Sequence, residues 1–201
     1  MIRTLIAEDQ AMLLSTLASL LDLEDDIVIV EKAANGQIAL DYLQQHNDVD
    51  LVITDIEMPH VSGIELAEQL RACNHPAMVI MLTTFARSGY LRRAMDAGVK
   101  GYLLKDSPAE ELLKAIQKVM AGQRSVAPEL MQDAWDEVDP LTAKERQALK
   151  LAQLGDTTEV IAQKLHLSEG TIRNYLSSAS AKLGASNRIE AARIAHQKGW
   201  L

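Results

Sequence analysis

Five short apolar runs alternate with segments whose apolar residues recur at helical spacing, and this alternation occupies the first 122 residues. The runs are Ile2 to Ala7, Ile27 to Val30, Leu51 to Thr54, Met78 to Leu82 and Val99 to Leu104. Between and after them come Leu13, Leu17, Leu20 and Leu21, then Ala39 and Leu43, then Ile64, Ala67 and Leu70. Tyr90, Leu91, Ala94 and Met95 follow, with Gly98 as a helix stop, and finally Leu112, Ile116, Val119 and Met120, with Gly122 beyond. Runs this uniformly apolar have no solvated face, so they are strands covered on both sides. Strands that alternate with helices predict a parallel sheet between two helical layers. Right-handed crossovers then bring every strand's carboxyl end to one edge, where ligands of open α/β sheets bind.

What stands at that edge is polar. Glu8 and Asp9 follow the first strand, Asp55 the third, Thr83 the fourth and Lys105 the fifth. In the stretch DLVITDIEMPHVSG, Asp50 to Gly63, an apolar run leads straight to the Asp55 carboxylate and breaks at Met58-Pro59. A single aspartate ending a strand is ordinarily a turn former. Four strand ends that all carry polar groups form a pocket. Carboxylates crowded in a poorly solvated rim repel one another, and a divalent cation with hard oxygen ligands, such as Mg²⁺, relieves the repulsion. Asp55 is then placed to attack a phosphoryl group, with Mg²⁺, Lys105 and the Thr83 hydroxyl sharing its oxygens.

The second part of the chain differs in kind. Residues 123–139 lack a strong period and read as a linker, with APELMQDAW able to form a short helix that has Pro128 in its first turn. From Pro140 the pattern is purely helical. Thr142 and Glu145 have the spacing of a capping box, Leu149 and Ala152 continue that helix, and Gly155 ends it. Val160, Ile161 and Leu165 mark a short helix, His166-Leu167-Ser168 a tight turn, and Ile172, Leu176, Ala179 and Leu183 a longer amphipathic helix closed by Gly184. Ile189, Ala192 and Ala195 suggest a last one. Two helices joined by three residues, the second the longer, are a helix-turn-helix candidate. Charge divides the same way: residues 1–139 hold 11 basic against 23 acidic residues, a net −12, whereas residues 140–201 hold 9 against 5, a net +4. The basic end suits a polyanionic partner. A lone cysteine, Cys73, supports neither a disulfide framework nor a zinc site and reads as a helix-surface thiol. With no signal peptide and no apolar stretch long enough to span a bilayer, the expectation is a cytoplasmic protein without a membrane partner.

The order AEDQ, DIEMP, LTTFA and GYLLKD resembles the receiver domain of bacterial two-component response regulators. The stretch from LTAKERQALK to NRIEAA resembles the helix-turn-helix of the NarL/FixJ (LuxR-type) family. The resemblance implies a flavodoxin-like (βα)5 receiver over residues 1–122, a linker over 123–139 and a C-terminal all-α DNA-binding domain over 140–201. It implies that Asp55 accepts a phosphoryl group from a sensor histidine kinase. Asp9, Asp55 and the Glu57 backbone carbonyl would hold Mg²⁺, with Glu8 acting at one remove or through water. Thr83 and Tyr102 would form the switch pair and Lys105 would contact the phosphoryl group. Phosphorylation would promote a homodimer that binds double-stranded DNA. On the longer helix, Arg173, Asn174 and Ser177 would face bases, while Thr171, Ser178 and Lys182 would touch phosphates. Ser177 and Tyr175 depart from the basic residue and histidine frequent in the family, so a monomer is expected to bind weakly. Segments such as TTFARSGY and KGYLLKDSPAEEL resemble most a branch that controls a membrane-lipid desaturase. No enzymatic turnover is expected. Two alternatives stay open: a phosphatase that forms an aspartyl phosphate, in which Glu57 stands where such enzymes carry a second aspartate, and a DNA-binding regulator indifferent to phosphorylation.

Overall fold

The computed structural model describes residues 1–84, 88–133 and 139–201. Phe85 to Arg87 of the TTFARSGY motif, and residues 134–138 of the expected linker, lie outside the described residues. The chain divides into two compact units, Met1–Ala86 with Leu91–Asp133, and Arg87–Tyr90 with Ala134–Leu201.

Strands β1 (Ile2–Ala7), β2 (Ile27–Ala33), β3 (Leu51–Asp55), β4 (Met78–Thr83), β5 (Gly101–Leu104) and β6 (Ser125–Val126) form one sheet in the order β2-β1-β3-β4-β5-β6, with every pair parallel. Helices α1 (Ala11–Leu21), α2 (Gly36–Leu43), α3 (Gly63–Ala72), α4 (Ser88–Asp96) and α5 (Ala109–Met120) make the crossovers. All five residues of β3 are buried, as the uniformly apolar run requires of a central strand. The chain lays β2 on one side of β1 and β3 on the other, so the strand order reverses at their carboxyl ends. A crevice opens at such a reversal because the two connections leave in opposite directions.

The sixth strand is an addition to what the sequence suggests. Ser125 donates its N–H to the Lys100 carbonyl at 2.9 Å and Ala127 to that of Tyr102 at 3.0 Å. Two residues carry no periodicity, so a backbone ladder this short leaves no trace in a side-chain pattern. A short helix, α6 (Pro128–Asp133), follows with Pro128 at its first position. The first compact unit therefore runs to Asp133, past residue 122 and into the stretch expected to be linker.

The loop after β3 is tightly built. Ser62 caps α3 with Glu65 as the reciprocal partner, an arrangement that satisfies two of the helix's free N–H groups. Gly63 donates to the Ile56 carbonyl at 3.0 Å, and a Cβ at position 63 would stand 2.0 Å from the Asp55 carbonyl oxygen. Only glycine lets α3 start this close to the end of β3.

In the second unit, α7 (Ala143–Gln153), α8 (Thr158–Leu165), α9 (Glu169–Lys182) and α10 (Arg188–Gln197) surround a core that includes Leu149, Ile161, Ile172, Leu176, Ala179 and Ala195. The capping box of Thr142 and Glu145 forms as spaced. His166 ends α8 in the left-handed conformation (φ 53°), Leu167 donates back to Ala162 at 2.9 Å, and Ser168 accepts the Thr171 N–H to start α9. The turn is thus three residues, as read. The last helix packs differently from its apolar marking: Ala191, Ala192 and Ala195 are buried, but Ile189 is 58% exposed. At about 100° per residue it points roughly a third of a turn away from the middle of the arc formed by the three buried alanines.

Candidate functional site

The geometry of the sheet brings Glu8, Asp9 and Asp55 to one place. Each offers a carboxylate oxygen, and these oxygens lie within 4.8 Å of one another. Glu8 and Asp55 are buried, and Asp9 is exposed. Lys105 enters from the end of β5. Its Nζ sits 2.8 Å from Glu8 Oε2 and 2.9 Å from Asp55 Oδ2, and its own side chain is almost fully enclosed. The second Asp55 oxygen, Oδ1, accepts the Ile56 N–H at 2.6 Å, and Glu8 Oε1 accepts the Gln10 N–H at 3.1 Å.

Burial pushes the Glu8 and Asp55 carboxyls above their ordinary values, against the pull of the hydrogen bonds from Lys105. The Lys105 ammonium also loses by burial, but its hydrogen bonds to Glu8 and Asp55 outweigh that and raise it. One buried cation thus faces two buried carboxylates with a third at the mouth, and the set carries excess negative charge. A small divalent cation with hard oxygen ligands fits this donor set, because it would supply the missing positive charge and Asp9 leaves one side open.

The remaining rim residues surround this cluster. Thr83 ends β4 and is buried, and its carbonyl accepts the Lys105 N–H at 2.8 Å. Tyr102 lies on the neighbouring strand opposite Met81, between β4 and β6, and its ring is fully enclosed. A lone sequence cannot say that this ring is inside, since a strand-end tyrosine is as often half exposed. Glu57 is exposed on the loop that follows.

Helix α9 separates its six singled-out residues into two groups. Arg173, Asn174, Ser177, Ser178 and Lys182 are all exposed and Thr171 is half-buried, so it is their partners that divide them. The Arg173 guanidinium is 3.9 Å from Glu169, one turn earlier, which is a loose surface pair. Thr171 shares a hydroxyl contact with the cap Ser168 at 2.9 Å. Ser178 and Lys182, expected at phosphates, have another partner here. Ser178 Oγ donates to Glu145 Oε1 at 2.6 Å, and Lys182 Nζ lies 2.7 Å from Glu145 Oε2. Glu145 is the residue that sequence reasoning missed in this role. Its spacing from Thr142 reveals a helix cap, but its partners on α9 are 33 and 37 positions away, and no local pattern announces them.

Both parts of the chain are similar to known proteins. Residues 4–117 match the response regulator receiver domain, and residues 139–195 match the bacterial regulatory proteins of the luxR family. The transcriptional regulatory protein DesR of Bacillus subtilis is 52% identical over 200 residues, which cover 100% of this chain and 99% of that protein. The crystal structure of ChrA, a response regulator in a heme-sensing two-component system, is similar with a TM-score of 0.57 at 33% identity, covering 100% and 98% of the two chains. RcsB of Salmonella enterica serovar Typhimurium, bound to promoter rprA with the phosphomimetic BeF3-, is similar with a TM-score of 0.72 at 25% identity, covering 96% and 97%.

Burial works against the Glu145 charge, but hydrogen bonds from Lys182, Ser178 and Thr142 overcome it and hold the carboxyl at about 2, below an ordinary 4.5. A depressed value means that the folded state gains from ionisation. This stability is present above pH 4.5 and is lost as pH falls toward about 2. Glu145→Gln is expected to lower the stability of the helical unit by about 1–3 kcal/mol at neutral pH, since hydrogen bonds to a charge are replaced by weaker ones. It should also flatten the decline of stability between pH 4.5 and 2. Urea titrations followed by circular dichroism across that range check both, and an unchanged acid decline in the variant would refute the assignment.

Proposed function

Because the chain belongs to the two-component response regulators with a LuxR-type DNA-binding domain, we propose that phosphorylation of Asp55 by a sensor histidine kinase governs its binding to promoters. The observation that carries this reading is the paired placement of Asp55 and Lys105, with Lys105 Nζ 2.9 Å from Asp55 Oδ2, at the reversal point of the sheet. An Asp55 oxygen forms the new bond to phosphorus as the bond from phosphorus to the kinase's phosphohistidine nitrogen breaks, and the imidazole leaves. Ile56 fixes the carboxylate by its N–H, and Lys105 is in place to meet a phosphoryl oxygen. The Thr83 hydroxyl supplies a further donor. Asp9, Asp55 and the Glu57 carbonyl would hold Mg²⁺, with Glu8 acting at one remove or through water. Bound Mg²⁺ supplies positive charge to the phosphoryl oxygens.

The acyl phosphate adds roughly two negative charges at the rim. Thr83 is drawn toward them, and the packing between β4 and the enclosed Tyr102 ring responds. A few kcal/mol of difference between the two arrangements is enough to shift the population. The shifted state forms a homodimer in the cytoplasm, and paired copies of α9 then read double-stranded DNA with Arg173, Asn174 and Ser177 toward the bases. The 52% identity to DesR and the resemblance in the receiver make a membrane-lipid desaturase promoter the first target to examine. The protein turns over no substrate of its own in this reading. A phosphatase would need a general acid at Glu57, and the exposed placement of that side chain does not favour it.

Incubation with acetyl phosphate and Mg²⁺ is expected to add the mass of one phosphoryl group to the native protein and none to Asp55→Ala. A folded native protein without the adduct would overturn the reading. With beryllofluoride and Mg²⁺, light scattering is expected to show a doubled mass; a mass that stays at one chain removes the dimer. Chromatin immunoprecipitation is expected to enrich a desaturase promoter with the native protein far more than with Asp55→Ala, and equal enrichment would favour the phosphorylation-independent alternative.

A further inference from the structure

We infer that Glu145 is a positioning residue for the DNA-reading helix: its carboxylate ties α7 to α9 through Ser178 and Lys182, so those two side chains hold the helix in place and do not grip the phosphate backbone. The proposal rests on the DNA-binding reading and says which side chains of α9 do what.

Three groups from separate places converge on this carboxylate. Oε1 accepts the Ser178 hydroxyl at 2.6 Å, and Oε2 accepts the Lys182 ammonium and the Thr142 N–H, each at 2.7 Å. Glu145 is 3% exposed, so its charge has little water to fall back on. A buried carboxylate stripped of a partner costs far more than a solvent-facing lysine gains from a phosphate. Lys182 is therefore committed before any nucleic acid arrives. The helix geometry agrees. Ser178 and Lys182 are four residues apart and share a face. At about 100° per residue, the middle of that face is about a third of a turn from the middle of the arc of Arg173, Asn174 and Ser177, with Asn174 the nearest of the three, and about as far from the middle of the core arc of Ile172, Leu176 and Ala179. Helix α9 thus has one side for the core, one for bases and one for the clamp. Fixing the third sets the rotation of the helix and with it the direction of the second.

The depressed carboxyl of Glu145 accords with permanent ionisation of this clamp. A direct phosphate contact and a clamp make opposite predictions for salt dependence, because only a contacting lysine releases counterions from DNA. Fluorescence anisotropy of the full chain with a mixed-sequence duplex, titrated at several KCl concentrations, distinguishes them. Lys182→Met is expected to bind about fivefold or more weakly at every salt concentration, with an unchanged slope of log affinity against log salt. The double variant Glu145→Gln/Lys182→Met is expected to regain most of that affinity, since the amide no longer needs a cation. A slope shallower by about one unit in Lys182→Met would overturn the proposal, as it would signify a lost phosphate contact. So would a double variant that binds no better than Lys182→Met while circular dichroism shows it folded. Absence of any salt-dependent binding by the native protein would remove the DNA-binding reading itself, and the clamp's purpose with it.

Discussion

Lys105 against Glu8 and Asp55 is the interaction on which the first unit depends. Two buried carboxylates on adjacent strands would repel one another in a medium that screens poorly, and the sheet can hold them there because an ammonium stands within 2.9 Å of both. The compensation is incomplete by design of the charge count: one cation faces two buried anions and a third at the mouth. Burial keeps the carboxyls above their ordinary values even with the lysine present. A site in that condition favours added positive charge.

The second unit solves a related problem with the opposite sign. Glu145 is also a buried carboxylate, but hydrogen bonds from Lys182, Ser178 and Thr142 outweigh its burial, and its carboxyl falls to about 2 rather than rising. The pocket of the first unit is under-compensated and therefore receptive, whereas the clamp is fully compensated and therefore rigid. Both use a carboxylate and a lysine, but burial and neighbouring carboxylates win at Glu8 and Asp55, whereas hydrogen bonds win at Glu145.

Much of this was legible from the chain. The alternation of apolar runs and helical periods gave the parallel sheet, because a period is a local property of side chains. The carboxyl-end rule then gathers Glu8, Asp9, Asp55, Thr83 and Lys105 at one edge. The capping boxes at Ser62 and Thr142 differ in this respect. The second stands at the start of a helical period, whereas the first has the same spacing within the loop after Asp55. The strand at Ser125–Val126 was missed because backbone pairing two residues long has no side-chain signature. Ile189, Ala192 and Ala195 mark the last helix but not its buried face, which Ala191, Ala192 and Ala195 form, because an alanine-rich helix offers a flat hydropathy pattern.

By itself the sequence determined which segments are strands and helices, which strand ends carry charge, and where a helix-turn-helix lies, since each follows from spacing along the chain. The tertiary structure alone decided how far the pocket's charges approach, that the Tyr102 ring is enclosed, and that Ser178 and Lys182 turn to Glu145. Those outcomes depend on distances between residues tens of positions apart, and such distances are set by packing, which no local pattern encodes.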